Sequence, residues 1–192
     1  MSSNIFQKER VCPWWMCFTF DNIVRRLFHD PQQILGRYFR EGMTALDIGP
    51  GMGYFSIPMA AMVGAQGKVI AVDVQQKMLD KLQRRAEKSG IANRILTHRS
   101  DGNSVGITHP VDFILVFWMV HEVPDQDAFW MDLHGLLKEN GLLLVAEPSI
   151  HVSKKKYADT IRRAEVAGFT VQDNPPVWFS YATLLIKKIK TN

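Results

Sequence analysis

Cysteine is scarce: Cys12 and Cys17 are the two present in 192 residues, too few for a disulfide framework. Two thiolates separated by four residues also lack the number and spacing of a structural zinc site, so no metal is expected. Long hydrophobic runs are missing too. The longest, Phe113 to Val120, falls far short of the roughly 20 residues a membrane helix needs, so no membrane span is expected. The apolar stretch 11–20 follows Lys8 and Arg10, but it contains a proline, two tryptophans and a threonine, and no small-residue cleavage site follows it. It does not read as a signal peptide, and a cytoplasmic location is expected. A large charge of one sign is absent: 23 basic against 19 acidic residues leave +4. The basic residues are dispersed apart from Lys154-Lys155-Lys156 and the tail with Lys187, Lys188 and Lys190, which read as solvated surfaces. No nucleic-acid partner is called for.

What is present is a core. Hydrophobic residues make up 46% and charged residues 22%, ordinary for one globular domain with a short extension. Residues 1–42 are expected to form a helical, aromatic extension, and residues 43–192 the main domain. The extension carries Phe6, Trp14, Trp15, Phe18, Phe20, Phe28, Tyr38 and Phe39. Asp21 is a candidate cap for a helix to Phe28, and Asp30-Pro31 a second helix start with Pro31 at the first helical position.

From residue 43 the pattern alternates. Strands are expected at 43–48, 68–73, 94–98, 111–117, 142–147, 169–172 and 181–187. Helices are expected at 55–63, 75–89, 127–138 and from the Ser153 cap to Gly168. In the second of these, Met78, Leu79, Leu82 and Ala86 recur on one face. Alternating strands and helices imply an α/β fold: a doubly wound, Rossmann-like, seven-stranded sheet, mostly parallel. The last two strands have no helix between them, so they form an antiparallel C-terminal hairpin.

The segment Asp47-Ile48-Gly49-Pro50-Gly51-Met52-Gly53 falls where the first strand passes to the first helix. Glycines there allow a tight turn and close approach of a ligand. A dinucleotide fingerprint places its third glycine after two intervening residues. That position is Tyr54, and the third glycine is instead Gly53, which argues against a nicotinamide-dependent oxidoreductase. Asp73 ends the second strand, where a carboxylate can accept both ribose hydroxyls.

Four blocks now line up: the glycine loop; Val69-Ile70-Ala71-Val72-Asp73; Val120-His121-Glu122-Val123-Pro124-Asp125; and Leu137-Lys138-Glu139-Asn140-Gly141-Leu142. With them, residues 43–188 resemble a class I S-adenosylmethionine-dependent methyltransferase of the small ubiquinone/menaquinone-biosynthesis-like kind (methyltransferase domain 11 or 25). The family's usual proline-glycine-glycine turn is Glu139-Asn140-Gly141 here. The resemblance implies S-adenosylmethionine as cofactor, with Gly49, Gly51 and Gly53 under its methionine part and Asp47 ordering the loop. It implies Asp73 on the ribose, Val74 against the adenine, Asp101 with Gly102 at the adenine amino group, and Phe117 near the methionine and methyl.

Methyl transfer is an in-line displacement at a sulfonium carbon and needs no protein nucleophile. The protein positions the reactants and keeps water out. A base is needed where the acceptor must lose a proton. His121, just past the fourth strand, and Glu147, at the end of the fifth, are the catalytic candidates, with His151 close by. His121 also has the plainer reading of a histidine that shapes its loop. Trp14, Trp15, Phe18 and Phe20 are expected to roof the substrate as a lid. Trp118-Met119-Val120-His121 stands where nucleic-acid methyltransferases carry an asparagine-proline-proline type motif, which favours a small-molecule acceptor. Two alternatives stay open: a cofactor-binding regulatory protein without catalysis, and a thiol or metalloid methyltransferase using Cys12 and Cys17.

Overall fold

The computed structural model describes residues 28–188. Asp30 caps α1 (Pro31–Leu35) by accepting from the Gln32 amide, with Pro31 at the first helical position, as the local sequence requires. A single 3-10 turn, Gly36–Tyr38, follows. The alternating part then comprises β1 (Thr44–Ile48), α2 (Ser56–Met62), β2 (Lys68–Asp73), α3 (Gln76–Lys88), β3 (Ile95–Arg99), β4 (Val111–Phe117), α4 (Gln126–Leu136), β5 (Leu137–Pro148), α5 (Lys154–Val166), β6 (Phe169–Asp173) and β7 (Ser180–Lys187).

The strands form one seven-stranded sheet in the order β3-β2-β1-β4-β5-β7-β6. The pairs among β3, β2, β1, β4 and β5 are parallel. β7 runs antiparallel to both β5 and β6. Strand order reverses between β1 and β4, and the crevice at such a switch point, outside the carboxyl ends of the strands, is where open α/β sheets bind ligands.

Both faces are covered. On one, Met59 and Ala60 of α2 and Leu82 and Ala86 of α3 pack on Ala45, Ala71 and Phe113. Leu35, Tyr38 and Phe39 join this face, with the Phe39 and Phe113 rings 4.8 Å apart. Leu35, Tyr38 and Phe39 thus anchor the described part of the 1–42 extension in the core. On the other face, Phe129, Trp130 and Leu133 of α4 and Ala164 of α5 cover Ile114, Val116 and Val145. Full burial of a residue such as Phe113 contributes about 1.5–3 kcal/mol. β4 sits between these layers, which is why it reads as an unbroken apolar run from Phe113 onward.

One boundary differs from expectation. The helix foreseen over 127–138 ends at Leu136, and Leu137 already pairs with Val111. Tertiary contacts override the helical pattern: Leu137 is buried in the α4 face of the core, and the Lys138 ammonium reaches Asp112 at 2.7 Å. Residues 138–141 then loop out, since the next pair is Phe113 with Leu142. A Cβ on Gly141 would meet Leu137 Cδ1 at 2.6 Å, so the excursion folds tightly on itself. The Asn140-Gly141 turn therefore lies inside β5 rather than ahead of it.

Candidate active site

The glycine loop is built by three different constraints. Gly49 has φ 69°, and its amide donates to the Val72 carbonyl at 2.9 Å. A Cβ on it would meet Met119 Cγ at 3.2 Å, so the loop after β4 lies directly against it. Gly53 has φ 84°, and a Cβ there would sit 2.8 Å from Leu82 Cγ of α3. Gly51 is different: φ is 54°, yet nothing lies within 4 Å of where a Cβ would stand. Its glycine leaves open space, the shape a closely approaching ligand needs. Asp47 is buried and accepts from the Ser56 hydroxyl at 2.5 Å, which ties the end of β1 to the first residue of α2. Arg85 Nη1 donates to the Met52 carbonyl at 3.0 Å and holds the loop from α3.

Asp73 is buried at the end of β2. Burial pushes its carboxyl up to about 6; amides of Gln75, Gly51 and Val74 work against that rise, while the charge of Glu122 adds to it. The Gln75 amide donates to Oδ1 at 2.8 Å. The carboxylate therefore stands beside the Gly51 amide. Val74 follows it, half-buried. The Asp73 carbonyl accepts from the Ser100 amide at 3.1 Å and so brings the turn after β3 alongside. In that turn Gly102 is buried with φ 93°. Asp101 is exposed, with both carboxylate oxygens engaged by Asn103, through its amide at 2.8 Å and its side chain at 3.0 Å. Those bonds hold the Asp101 carboxyl below its ordinary range.

β4 ends in an aromatic corner. Phe117 is buried against Phe55, ring centroids 4.5 Å apart. Trp118 has φ 61°, an outlier for so large a residue. It is held by its amide on the Ala146 carbonyl at 2.7 Å and its indole Nε1–H on Ser180 at 2.8 Å. This break in the strand sends the 3-10 turn Val120–Glu122 across to β5.

There the two catalytic candidates meet. Glu147 is 1% exposed and accepts at Oε1 from the Val120 amide, 2.9 Å, and at Oε2 from the His121 amide, 3.1 Å. Nδ1 of His121 lies 2.6 Å from the same Oε2. A carboxylate only accepts, so the ring proton sits on Nδ1 and the Nε2 lone pair is left for other work. Burial lowers the His121 pKa, but the hydrogen bond and charge of Glu147, helped by Glu122, outweigh it, and the net shift is upward. Gln126 steadies the turn by donating to the Val120 carbonyl at 3.1 Å. His151 is exposed on the turn that leaves β5.

A further histidine escaped the sequence reading. His29 is 2% exposed, its ring edge-on to Trp118 at 4.9 Å and Phe117 at 5.4 Å. Its Nε2–H donates to the Trp178 carbonyl at 2.7 Å, and its own carbonyl accepts from the Tyr54 hydroxyl at 2.8 Å. The partners lie up to 149 positions away, and no local pattern marks such a contact. Cys12, Trp14, Trp15, Cys17, Phe18 and Phe20 lie outside the described residues.

Known proteins share this architecture. The methyltransferase-domain family matches residues 45–141. A protein-L-isoaspartate O-methyltransferase of Methanococcoides burtonii is 34% identical over 107 residues, 55% of this chain and 49% of that one. A demethylmenaquinone methyltransferase of Lactobacillus johnsonii is 29% identical over 111 residues, 57% of this chain and 46% of that one. The chain thus spans about half the length of these relatives. The crystal structure of an S-adenosylmethionine-dependent methyltransferase from Aquifex aeolicus superposes with a TM-score of 0.80 at 25% identity, covering 91% of this chain and 98% of that one. The open cradle at Gly51, with Asp73 beside it, fits the cofactor of that family. The chain belongs to the methyltransferase-domain family, the class I S-adenosylmethionine-dependent methyltransferases.

Proposed function

We propose that this chain moves a methyl group from S-adenosylmethionine to a small-molecule acceptor that gives up a proton, and that His121 takes that proton. The observation that carries the reading is the 2.6 Å contact of His121 Nδ1 with Glu147 Oε2, at the carboxyl ends of the strands on which the glycine loop lies. Glu147 sets the tautomer and favours the imidazolium that forms when Nε2 accepts a proton. It is itself fixed by two backbone amides, so the ring is oriented before any acceptor arrives.

The residues that would hold the cofactor are Gly49, Gly51 and Gly53 for its methionine part, Asp73 for the ribose, and Val74, Asp101 and Gly102 for the adenine. Asp47 orders the loop, and Phe117 walls the methyl side. S-adenosylmethionine supplies, when bound, an electrophilic methyl on a sulfonium, open to in-line displacement without a protein nucleophile. The protein's share is positioning and exclusion of water. A small acceptor is favoured by Trp118-Met119-Val120-His121 at the end of β4, where the side chains are apolar up to His121 itself. The segment with Trp14, Trp15, Phe18 and Phe20 is assigned the roof over that acceptor. Among the described residues no helix is long and apolar enough to cross a membrane, and a cytoplasmic site of action suits this reading.

The test is a cofactor-consumption screen of the purified protein against phenols, quinols, amines and thiols, with product mass locating the methylated atom. Turnover lost in His121→Gln with cofactor affinity intact supports the reading. Cofactor binding without turnover on every class would favour the regulatory alternative. Tight binding of a nicotinamide dinucleotide without S-adenosylhomocysteine binding would overturn the cofactor.

A further inference from the structure

The connection from β6 to β7 carries two large aromatics on its tip, Trp178 and Phe179, 67% and 48% exposed. Phe179 holds φ 54°, a left-handed conformation costly for a side chain of this kind. Strain spent on keeping a large apolar ring in water asks for a reason. Ile150, 78% exposed, is next in the chain to Ser149, whose amide donates to the Phe179 carbonyl at 2.9 Å. Phe28 completes the patch, its ring 5.2 Å from Phe179 and 6.0 Å from Trp178. Single exposed hydrophobics are ordinary, but a contiguous cluster marks an interaction surface.

A second anomaly adjoins the first. Lys154, Lys155 and Lys156 fill the first turn of α5, and no acidic residue shares that turn. Cations at a helix N-terminus oppose the helix dipole. All three are exposed, and none makes an ion pair among the described residues. Lys154 lines the same groove as Trp178, a cleft of about 520 Å³ that also includes Tyr157 and Tyr181. The aromatic tip and Lys154 thus share one edge of the molecule, and Lys155 and Lys156 follow in the same helical turn. That edge lies at the end of the sheet that holds Glu147, since Ser180 pairs with Pro148.

We propose that this edge docks on an anionic lipid surface, with Trp178, Phe179 and Ile150 entering the interface and the three lysines meeting the headgroups. Tryptophan and phenylalanine settle at the boundary between headgroups and acyl chains, and nearby lysines add attraction to anionic lipid. A second copy of the chain is a poorer occupant, because a two-fold contact brings the lysine clusters of both copies together. A single nucleic-acid strand is poorer too. The rings pack tilted or edge-on against one another, at 53° to 74°, rather than standing apart as stacking platforms.

The experiment is co-sedimentation of the full chain with phosphatidylcholine vesicles and with vesicles that also contain phosphatidylglycerol. Binding to the anionic vesicles, weakened by salt, is expected, with far less on the neutral ones. The triple variant K154E/K155E/K156E should lose affinity on the order of a hundredfold. Trp178→Ala should lose about tenfold. Phe179→Gly should also weaken binding; glycine accepts φ 54° without strain, so this variant keeps the fold. Absence of binding to anionic vesicles at low salt overturns the proposal, as does binding that all three variants retain. Binding seen only after removal of residues 1–20 overturns it in favour of the chain's own N-terminal segment. A dimer abolished by Trp178→Ala, or oligonucleotide binding through the same residues without vesicle binding, overturns it in favour of those partners.

Discussion

His121 Nδ1 and Glu147 Oε2 stand 2.6 Å apart, although 26 positions separate the residues in the chain. The contact raises the His121 pKa above its ordinary 6.5 despite the opposing effect of burial. As a base His121 acts in its neutral form, so turnover should rise with pH along a limb whose midpoint lies above 6.5. Glu147→Gln removes the charge and should move that limb to lower pH while lowering its plateau. His121→Gln should cost on the order of 10²–10⁴-fold in kcat with cofactor affinity unchanged. Stability has the opposite sense: the protonated pair supports the fold below about pH 6.5, and that support fades as pH rises through the raised pKa. Rate profiles and melting curves of the three proteins check both.

Asp73 sets binding against stability. Its carboxyl is raised to about 6 by burial, so the folded state takes up a proton more readily than the unfolded chain, and stability declines as pH climbs from about 4 to 6. Asp73→Asn should therefore melt higher than the parent protein at neutral pH, with the difference vanishing below about pH 4. Cofactor binding should go the other way, with Asp73→Ala weakening it by about 1.5–3 kcal/mol, the range for bonds to a charged group. Asp101→Ala should weaken it less, because Asn103 already engages both oxygens. Calorimetry and thermal melts on the three variants test the ranking, and an unchanged dissociation constant for Asp73→Ala refutes the ribose role.

Gly51 and Gly53 should respond differently to a methyl group. Both have positive φ, so Gly→Ala carries a backbone cost of about 1–2 kcal/mol at either. At Gly53 the new Cβ also meets Leu82 Cγ at 2.8 Å, so the melting temperature should fall further. At Gly51 the Cβ enters open space, so most of the damage should appear as lost cofactor affinity. Equal affinity losses in the two variants would contradict this assignment of the open space to the ligand.

Removal of residues 1–20 should leave a folded, cofactor-binding protein that no longer transfers methyl, if Trp14, Trp15, Phe18 and Phe20 roof the acceptor. A cooperative melt, calorimetry and turnover on the shortened chain decide it. Unfolding would show that the segment belongs to the core, and full activity would send the search for the acceptor back to His121 and Glu147.

Local chemistry wrote much of this protein into its sequence. Strand and helix alternation, the Asp30-Pro31 start, the Ser153 cap and the apolar run of β4 depend on neighbours within a few positions, and they stand as read. The glycine loop was legible on the same local ground: Gly49, Gly51 and Gly53 all take positive φ, which glycine accepts without strain. What depends on distant partners was not. Leu137 leaves the helical pattern because Val111 and the core claim it. Asp101 has its oxygens taken by Asn103, which only the turn's geometry shows. His29 acquires its place from Trp118 and Trp178, far along the chain. His121 and Glu147 could each be suspected from the ends of their strands, but only the parallel pairing of β4 with β5 lets one carboxylate reach both the amide and the ring of the histidine. A sequence specifies which residues prefer a strand, a turn or a cap; which of them touch is decided when burial of the shared core brings the elements together.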